Sequence, residues 1–452
     1  MPASLKPDEL ADQAARLRRA NEQFVRRYPG EGGARQPVHT VYGGAQLFRH
    51  DSTVKLGQVA RRALDEYAPD AATLAQALGI AGGGFADRVY SRVAEKLGRE
   101  PVEDFRIDYE DGYGNRSDAE EDGHAESVAR EVAKGLAEGT LPPFLGIRVK
   151  TLSEELRGRS IRTLDLFLTT LVEATGGVLP PNFVLTLPKV ALPEQVDYFA
   201  DVLQVLEPRL GLPAGALRFE IMVEVPQAII GADGRCMLPE LVRAGGGRIT
   251  AAHFGTYDYT AGVGITAAHQ HMRHPACDYA KHAMQVSLAG TGVWLSDGST
   301  TVMPVPVHRA APGGPALTDA QLAENRAGVH RAWKLHYDDV RHSLVGGFYQ
   351  GWDLHPAQLV TRYAAVFAFF LESVESAGAR LKNFVEKAAQ ATLVGDVFDD
   401  AATGQGLLNY FLRGMNCGAL TEAEVLELTG LTLDELRGRS FLKILNGRRM
   451  LG

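Results

Sequence analysis

Along this chain, strand-forming runs rich in apolar residues alternate with stretches where apolar positions recur at helical spacing. Each run ends in glycine or a polar side chain. The first four are Val38–Tyr42 into Gly43-Gly44, Phe105–Tyr109 into Glu110-Asp111-Gly112, Phe144–Val149 carrying Arg148, and Phe183–Leu187 into Pro188-Lys189. Next come Phe219–Val223 into Glu224, Ile249–Phe254 into Gly255 and Asp258, Val293–Leu295 into Ser296-Asp297-Gly298, and Gly347–Leu354 into His355-Pro356. Several are nearly continuous apolar runs, as strands buried on both faces should be. Between them, Val196, Phe199, Val202, Leu203 and Leu206 share one helical face after Pro193. Leu164, Leu168, Leu171 and Val172 do the same after Ser153. Strand and helix in alternation predict parallel βαβ units, and eight runs favour a closed barrel over an open sheet.

The pattern divides the chain in three. Residues 1–37 predict a helical lead-in. Residues 38–374 predict a (β/α)8 TIM-barrel catalytic domain, class α/β, with a helical insertion at about 50–100 where one crossover helix would suffice. Residues 375–452 predict a helical C-terminal extension, in which Thr421 and Thr432 stand where helix caps belong, with acidic residues close behind. Pro304–Leu317, rich in Pro, Ala and Gly, reads as a loop, and no internal repeat is present.

Composition narrows the function. Of 452 residues, 45% are hydrophobic and 23% charged, which suits a chain with a sizeable core. The net charge of −8 leaves no basic excess for nucleic-acid phosphates, and no polybasic patch suggests a membrane surface. No stretch approaches the ~20 apolar residues that span a bilayer. The N-terminal sequence is polar and reads as an amphipathic helix rather than a signal peptide. Cys236, Cys277 and Cys417 are too scattered for a disulfide framework or a zinc site. The expectation is a cytoplasmic protein with a small-molecule substrate, without nucleic acid or membrane as partner.

Groups at the C-terminal ends of barrel strands converge on one pocket. Here those ends carry Asp108, Glu110, Asp111, Arg148, Lys189, Glu224, Asp258, Asp297 and His355. Charges desolvated near the axis must compensate one another or bind a metal. Glu224 and Asp258, on separate strands, could hold one hard divalent cation, and Mg²⁺ is content with one or two carboxylates plus water and substrate oxygens. No Cys or His is grouped with them, which weighs against zinc. The Arg148 fork matches a carboxylate or a developing enolate oxygen. Plainer roles compete. Either carboxylate could cap a helix or join an ion pair, and Lys189 suits an ion pair as well as a substrate contact. Asp297 precedes glycine and reads as a turn residue. His269, His271 and His274 lack the helical spacing of a metal pair, and His39 reads as a hydrogen-bonded core histidine.

In this order the segments resemble the citrate lyase β-subunit-like branch of the HpcH/HpaI aldolase family, within the pyruvate/phosphoenolpyruvate barrel superfamily. The resemblance rests on Asp108-Tyr109-Glu110-Asp111, Arg148-Val149-Lys150, Pro188-Lys189-Val190, Val223-Glu224-Val225, Phe254 to Asp258, and Gly347 to Gln358. It covers residues ~38–370. The resemblance implies Mg²⁺, or Mn²⁺, on Glu224 and Asp258, Arg148 on the substrate oxyanion or carboxylate, and Glu110 and Asp111 around the metal. It implies a carbon–carbon lyase or aldolase acting on a 2-oxo acid, 2-hydroxy acid or acyl thioester, with a CoA thioester among the candidate substrates and Lys189 and His355 as further substrate contacts. It also implies a homo-oligomer, trimer or hexamer, in which the tail covers a neighbour's site. Lys150 replaces the family's Asn, Val225 replaces its Thr, and GNRSDAEEDGHAE is inserted after the acidic motif, so this branch diverges. Two alternatives share the barrel: a phosphoenolpyruvate- or pyruvate-directed phosphoryl-transfer enzyme, and a non-catalytic barrel that binds a small acid. The first lacks a Walker-type phosphate loop in this sequence.

Overall fold

The computed structural model of the chain describes residues 7–30, 32–386, 392–394, 397–399, 401–438 and 444. Each of the eight predicted runs contributes a strand. They are β1 His39–Gly44, β2 Asp104–Asp108, β3 Phe144–Arg148 and β4 Phe183–Leu187. They continue with β5 Phe219–Val223, β6 Ile249–Phe254, β7 Trp294–Ser299 and β8 Gln350–Asp353. All neighbouring pairs are parallel, and the sheet closes in sequence order. The seam joins β1 to β8 with His39 opposite Gly351, Thr40 opposite Trp352 and Val41 opposite Asp353. The fold is the (β/α)8 barrel read from the sequence.

The helices follow local chemistry. Asp118–Glu138, after β2, starts at Ser117, whose hydroxyl accepts from Glu120 N, so the inserted GNRSDAEEDGHAE supplies a cap and an acidic first turn. Three helices, Ser52–Tyr67, Ala71–Leu78 and Gly84–Arg99, fill the insertion between β1 and β2. In the C-terminal region Thr421 and Thr432 cap Glu422–Thr429 and Leu433–Arg437, and Glu424 and Glu435 bond back to the caps. A short antiparallel pair, β9 Thr392–Val394 and β10 Val397–Asp399, breaks the otherwise helical pattern there. The helix Ala11–Arg27 has no buried residue. The chain after it is tied to the loop before β7, where Gly30 N donates to Gly290 O at 2.8 Å. Among the described residues no helix is long and apolar enough to cross a membrane.

One expectation fails inside the sheet. Asp297, read as a turn residue, lies within β7 and is fully buried. Its Oδ2 accepts from Lys281 Nζ at 3.0 Å and Ser343 Oγ at 2.6 Å, and its Oδ1 accepts from Gly298 N at 2.8 Å. The turn preference of Asp-Gly is weak beside an ion pair that satisfies a buried charge. His39 is buried as expected, its Nε2 accepting from Glu103 N at 3.0 Å.

Between strands and helices the core is apolar, with Phe167, Phe199, Phe219 and Phe254 fully buried. The barrel interior is not. Arg106 reaches across from β2: its Nε lies 2.8 Å from Glu220 Oε1 and 3.0 Å from Thr186 Oγ1, and its Nη1 lies 2.5 Å from Asp104 Oδ1. His253 Nε2 is 3.1 Å from Glu220 Oε2. Burial opposes the Glu220 charge, yet Arg106 and His253 hold its pKa far below the usual carboxylate range. Gly146 leaves space for this arrangement, since a Cβ there would stand 1.8 Å from Val184 O and 3.4 Å from Arg106 Cδ.

Candidate active site

Alternation along β2 turns Asp104, Arg106 and Asp108 to the same face, so Asp108 tops a charged column. It binds Arg148, at the end of β3, through two bonds: Nε to Oδ1 at 2.7 Å and Nη2 to Oδ2 at 2.6 Å. This fork-on-carboxylate pairing fixes the guanidinium plane. The remaining nitrogen, Nη1, lies 3.0 Å from Glu110 Oε2 and 3.8 Å from Asp111 Oδ2. Asp108 also accepts from Glu110 N at 2.9 Å and Gly112 N at 2.7 Å, which folds the segment after β2 back toward Arg148.

Lys189 joins two parts of the site. Its backbone has φ +49°, left-handed and sparsely populated for a side chain with a Cβ. That conformation directs its N–H to Glu224 Oε1 at 2.7 Å. Its ammonium group pairs with Glu110, lies 3.2 Å from Asp111 Oδ2 and reaches Asp258 Oδ2 at 3.5 Å. Strain of this kind persists where the surroundings over-determine it, as at functional sites. Gly255 packs against the other side of Glu224, because a Cβ there would meet Glu224 Cβ and Oε2 at 2.5 Å each.

Five carboxylates (Asp108, Glu110, Asp111, Glu224, Asp258) thus face two cations, Arg148 and Lys189. The imbalance falls on Glu224. It is buried, and burial, reinforced by Glu110 and Asp258 against Lys189 and Arg148, pushes its pKa up to about 8. Burial also raises Glu110, more than Arg148 and Lys189 lower it. Burial disfavours the Asp111 carboxylate too, yet Arg148 and Lys189 hold it below its ordinary range. The same carboxylates keep Lys189 protonated, raising its pKa although burial works the other way. Asp258, in the first turn of the helix Thr256–Gly262, is half-exposed at the mouth.

These groups border a cavity of about 350 Å³ at the C-terminal ends of the strands. Its wall includes Asp108, Asp111, Arg148, Glu224 and Asp258. The structure therefore brings together six of the seven site residues singled out in the sequence, with Glu110 and Lys189 bonded to that wall. His355 stands apart: its Nδ1 accepts from Ala357 N at 3.1 Å, in the turn before the helix Gln358–Leu371, and the cavity takes Leu354 instead. Tyr42, Thr256 and Trp352 also line the cavity and were not singled out. Their signal was position, since Tyr42 precedes the glycines ending β1, Thr256 follows β6, and Trp352 lies in β8 within the closing Gly347–Gln358 segment. A second cavity, about 290 Å³, lies at the opposite face near Gln36, Trp294 and Tyr349, and no carboxylate lines it.

A divalent cation is tested by the donors present. Glu224 and Asp258 approach one region from β5 and β6, and among the described residues Glu224 forms no ion pair, with Lys189 and Arg148 acting on it only at longer range. Hard oxygen donors in a site short of positive charge fit Mg²⁺ or Mn²⁺. Among the described residues no three His, Cys, Asp or Glu side chains form a metal cage by themselves, so water or substrate oxygens would complete the shell.

A family profile described as Domain of unknown function (DUF6986) matches residues 17–444. No curated protein matches the sequence. Among solved structures the chain is similar to a citrate lyase from Burkholderia xenovorans LB400, at 19% identity and a TM-score of 0.54, over 77% of this chain and 94% of that one. It is also similar to Haloferax volcanii malate synthase in its magnesium and glyoxylate complex, at 15% identity and a TM-score of 0.45, over 73% and 74% of the two chains. At 19% identity the first likeness speaks for the fold alone.

Proposed function

The chain belongs to the DUF6986 family, and from the geometry of its strand-end site we propose that it is a carbon–carbon lyase or aldolase for a small 2-oxo acid, 2-hydroxy acid or acyl thioester. In this reading Glu224 and Asp258 hold Mg²⁺ or Mn²⁺. The carrying observation is the shortage of positive charge at Glu224, a buried carboxyl raised to about 8 beside Asp258 in a strand-end cavity. The order of motifs resembling HpcH/HpaI aldolases supports the same chemistry.

When bound, the ion supplies Lewis acidity toward the carboxylate and carbonyl oxygens of the substrate. The rest falls to the chain's own side chains. Arg148, locked by Asp108, presents Nη1 where negative charge would develop on an enolate oxygen as the carbon–carbon bond breaks or forms. Asp111 stays ionised at the exposed rim and would pass a proton between substrate and solvent at Oδ2. Lys189 remains an ammonium ion, which makes it a poor amine nucleophile and suits it to orienting Glu110 and Glu224.

Proton NMR of pyruvate in D₂O tests this reading. The methyl signal should exchange only with enzyme and divalent ion together, and Arg148→Ala should slow exchange about 100-fold or more while still binding the ion. Exchange at the wild-type rate in Arg148→Ala would remove Arg148 from the chemistry. No exchange by wild type with Mg²⁺ bound would count against enolate formation from pyruvate.

A further inference from the structure

At the opposite end of the barrel from the strand-end site, the second cavity, about 290 Å³, lies between three parts of the chain. Gln36 comes from the segment before β1, Trp294 from the start of β7 and Tyr349 from the residue before β8. Arg413 and Asn416 come from the helix Ala401–Asn416 of the C-terminal extension. Leu288, Leu344, Val366 and Phe370 make much of the wall apolar. Among the described lining residues Arg413 alone is charged. Burial pushes the Cys417 thiol up to about 12, so it stays neutral and adds no negative charge.

Two contacts aim the guanidinium. It lies over the Tyr349 ring, 3.9 Å from the ring centre, and its Nη1 is 3.5 Å from Gln36 Oε1. Gln36 is itself fixed, because its Nε2 donates to Leu295 O and to Gln350 Oε1 at 3.1 Å each and leaves the oxygen toward Arg413. A guanidinium carries five N–H donors in one plane, more than a ring face and one amide oxygen engage. The half-buried Asn416 amide lines the same cavity and has no hydrogen-bond partner among the described residues. A carboxylate fits the edge of a guanidinium through two bonds, and an amide N–H beside it can donate to the same oxygens. A phosphate ester would bring a second charge with no second cation to meet it. An ammonium ligand would face Arg413 with no carboxylate to offset it. In a chain of net charge −8 whose strand-end cavity gathers carboxylates, an organic anion meets less repulsion at this floor.

We propose that the floor cavity is a second ligand site, separate from the strand-end site, for a small monocarboxylate with an apolar body about the size of one ring. Arg413 and Asn416 bind the carboxylate, and the body lies against Trp294 and the aliphatic wall. At about 290 Å³ the cavity sits at the lower edge of ligand pockets, which suits so compact a body. An occupant touches the segment before β1, the barrel floor and the C-terminal extension at once, so it fastens the three together and stabilises the folded chain.

The test uses three probes with one body and different charge: 3-phenylpropanoate, 3-phenylpropanamide and 3-phenylpropylamine. In ligand-observed NMR titrations of the full chain the acid should bind about tenfold tighter than the amide, as one charge-assisted pair requires, and the amine weakest of all. The acid should also raise the melting temperature. Added Mg²⁺ should leave its affinity unchanged, because the carboxylates that would hold the ion lie at the other end of the barrel. Arg413→Gln removes the charge and should bring the acid down to the affinity of the amide. Ala34→Phe, at an exposed lining position, fills the cavity and should abolish binding of both. Two variants guard against one that fails to fold. Equal binding of acid and amide by wild type, or binding of neither, would overturn the inference. So would acid binding at the wild-type affinity in whichever variant folds, or acid binding seen only with Mg²⁺, which would move the acid to the strand-end cavity.

Discussion

At Glu224 a single side chain records the electrostatic state of the whole site. Its carboxyl, with an ordinary value of 4.5, is pushed up to about 8, chiefly by burial. The folded chain therefore keeps a proton that the unfolded chain gives up, and stability should decline as pH rises from about 4.5 to about 8. Glu224→Gln stays neutral throughout and should lose this slope. In metal-free buffer, melting curves across that range should show wild type falling relative to Glu224→Gln, and parallel profiles would mean the carboxyl titrates normally. Mg²⁺ added above pH 8 should raise the wild-type melting temperature more than that of the variant, because it binds the ionised native site. At this scale the sequence was informative wherever a charge ended a strand: Arg148, Lys189, Glu224 and Asp258 stand out because a barrel gathers strand ends. Tyr42 and Trp352 gave no such signal, since aromatic residues in strands are ordinary core material. That Lys189 acts through its backbone N–H as well as its ammonium depends on φ +49°, which side-chain chemistry does not announce.

Strands β2 and β5 show how far periodicity alone can mislead. The run Phe105–Tyr109 suggests an apolar strand, yet every second residue of Asp104–Asp108 is charged and faces the barrel axis. Glu220 within β5 and Glu224 just after it repeat the pattern. The alternation was present in the sequence, and it becomes meaningful only once closure puts Arg106 against Glu220. Breaking this buried pair should be costly. Arg106→Leu leaves Asp104 without its cation and Glu220 with His253 alone, and should cost about 3–5 kcal/mol in denaturant unfolding. Adding Glu220→Leu should recover part of that loss, since replacing both partners removes a desolvated charge. A single variant within about 1 kcal/mol of wild type would mean that the network is solvated or already neutral. The same positional reasoning explains Asp297, whose local Asp-Gly signal says turn while β7 and Lys281 make it a strand residue.

For the molecule as a whole, eight strand-forming runs in order were enough to read the closed barrel, because parallel strands joined by helices have few other ways to bury both faces. The attachments were less legible, because cap signals locate helices such as Glu422–Thr429 but say little about the β9–β10 pair between them and the barrel. The helix Ala11–Arg27 is the extreme case, a regular element with nothing of its own buried. Removing residues 1–27 should change unfolding stability by no more than about 0.5 kcal/mol. A drop of several kcal/mol would show that the helix is covered in solution, and a concentration-dependent melting temperature in the intact chain would point to another copy as the cover. The chain leaves this helix at Gly30, bonded to the loop before β7, on the face away from the cavity. A probe or linker attached at Gly30 would therefore sit at the barrel's floor and leave the mouth open to whatever enters it.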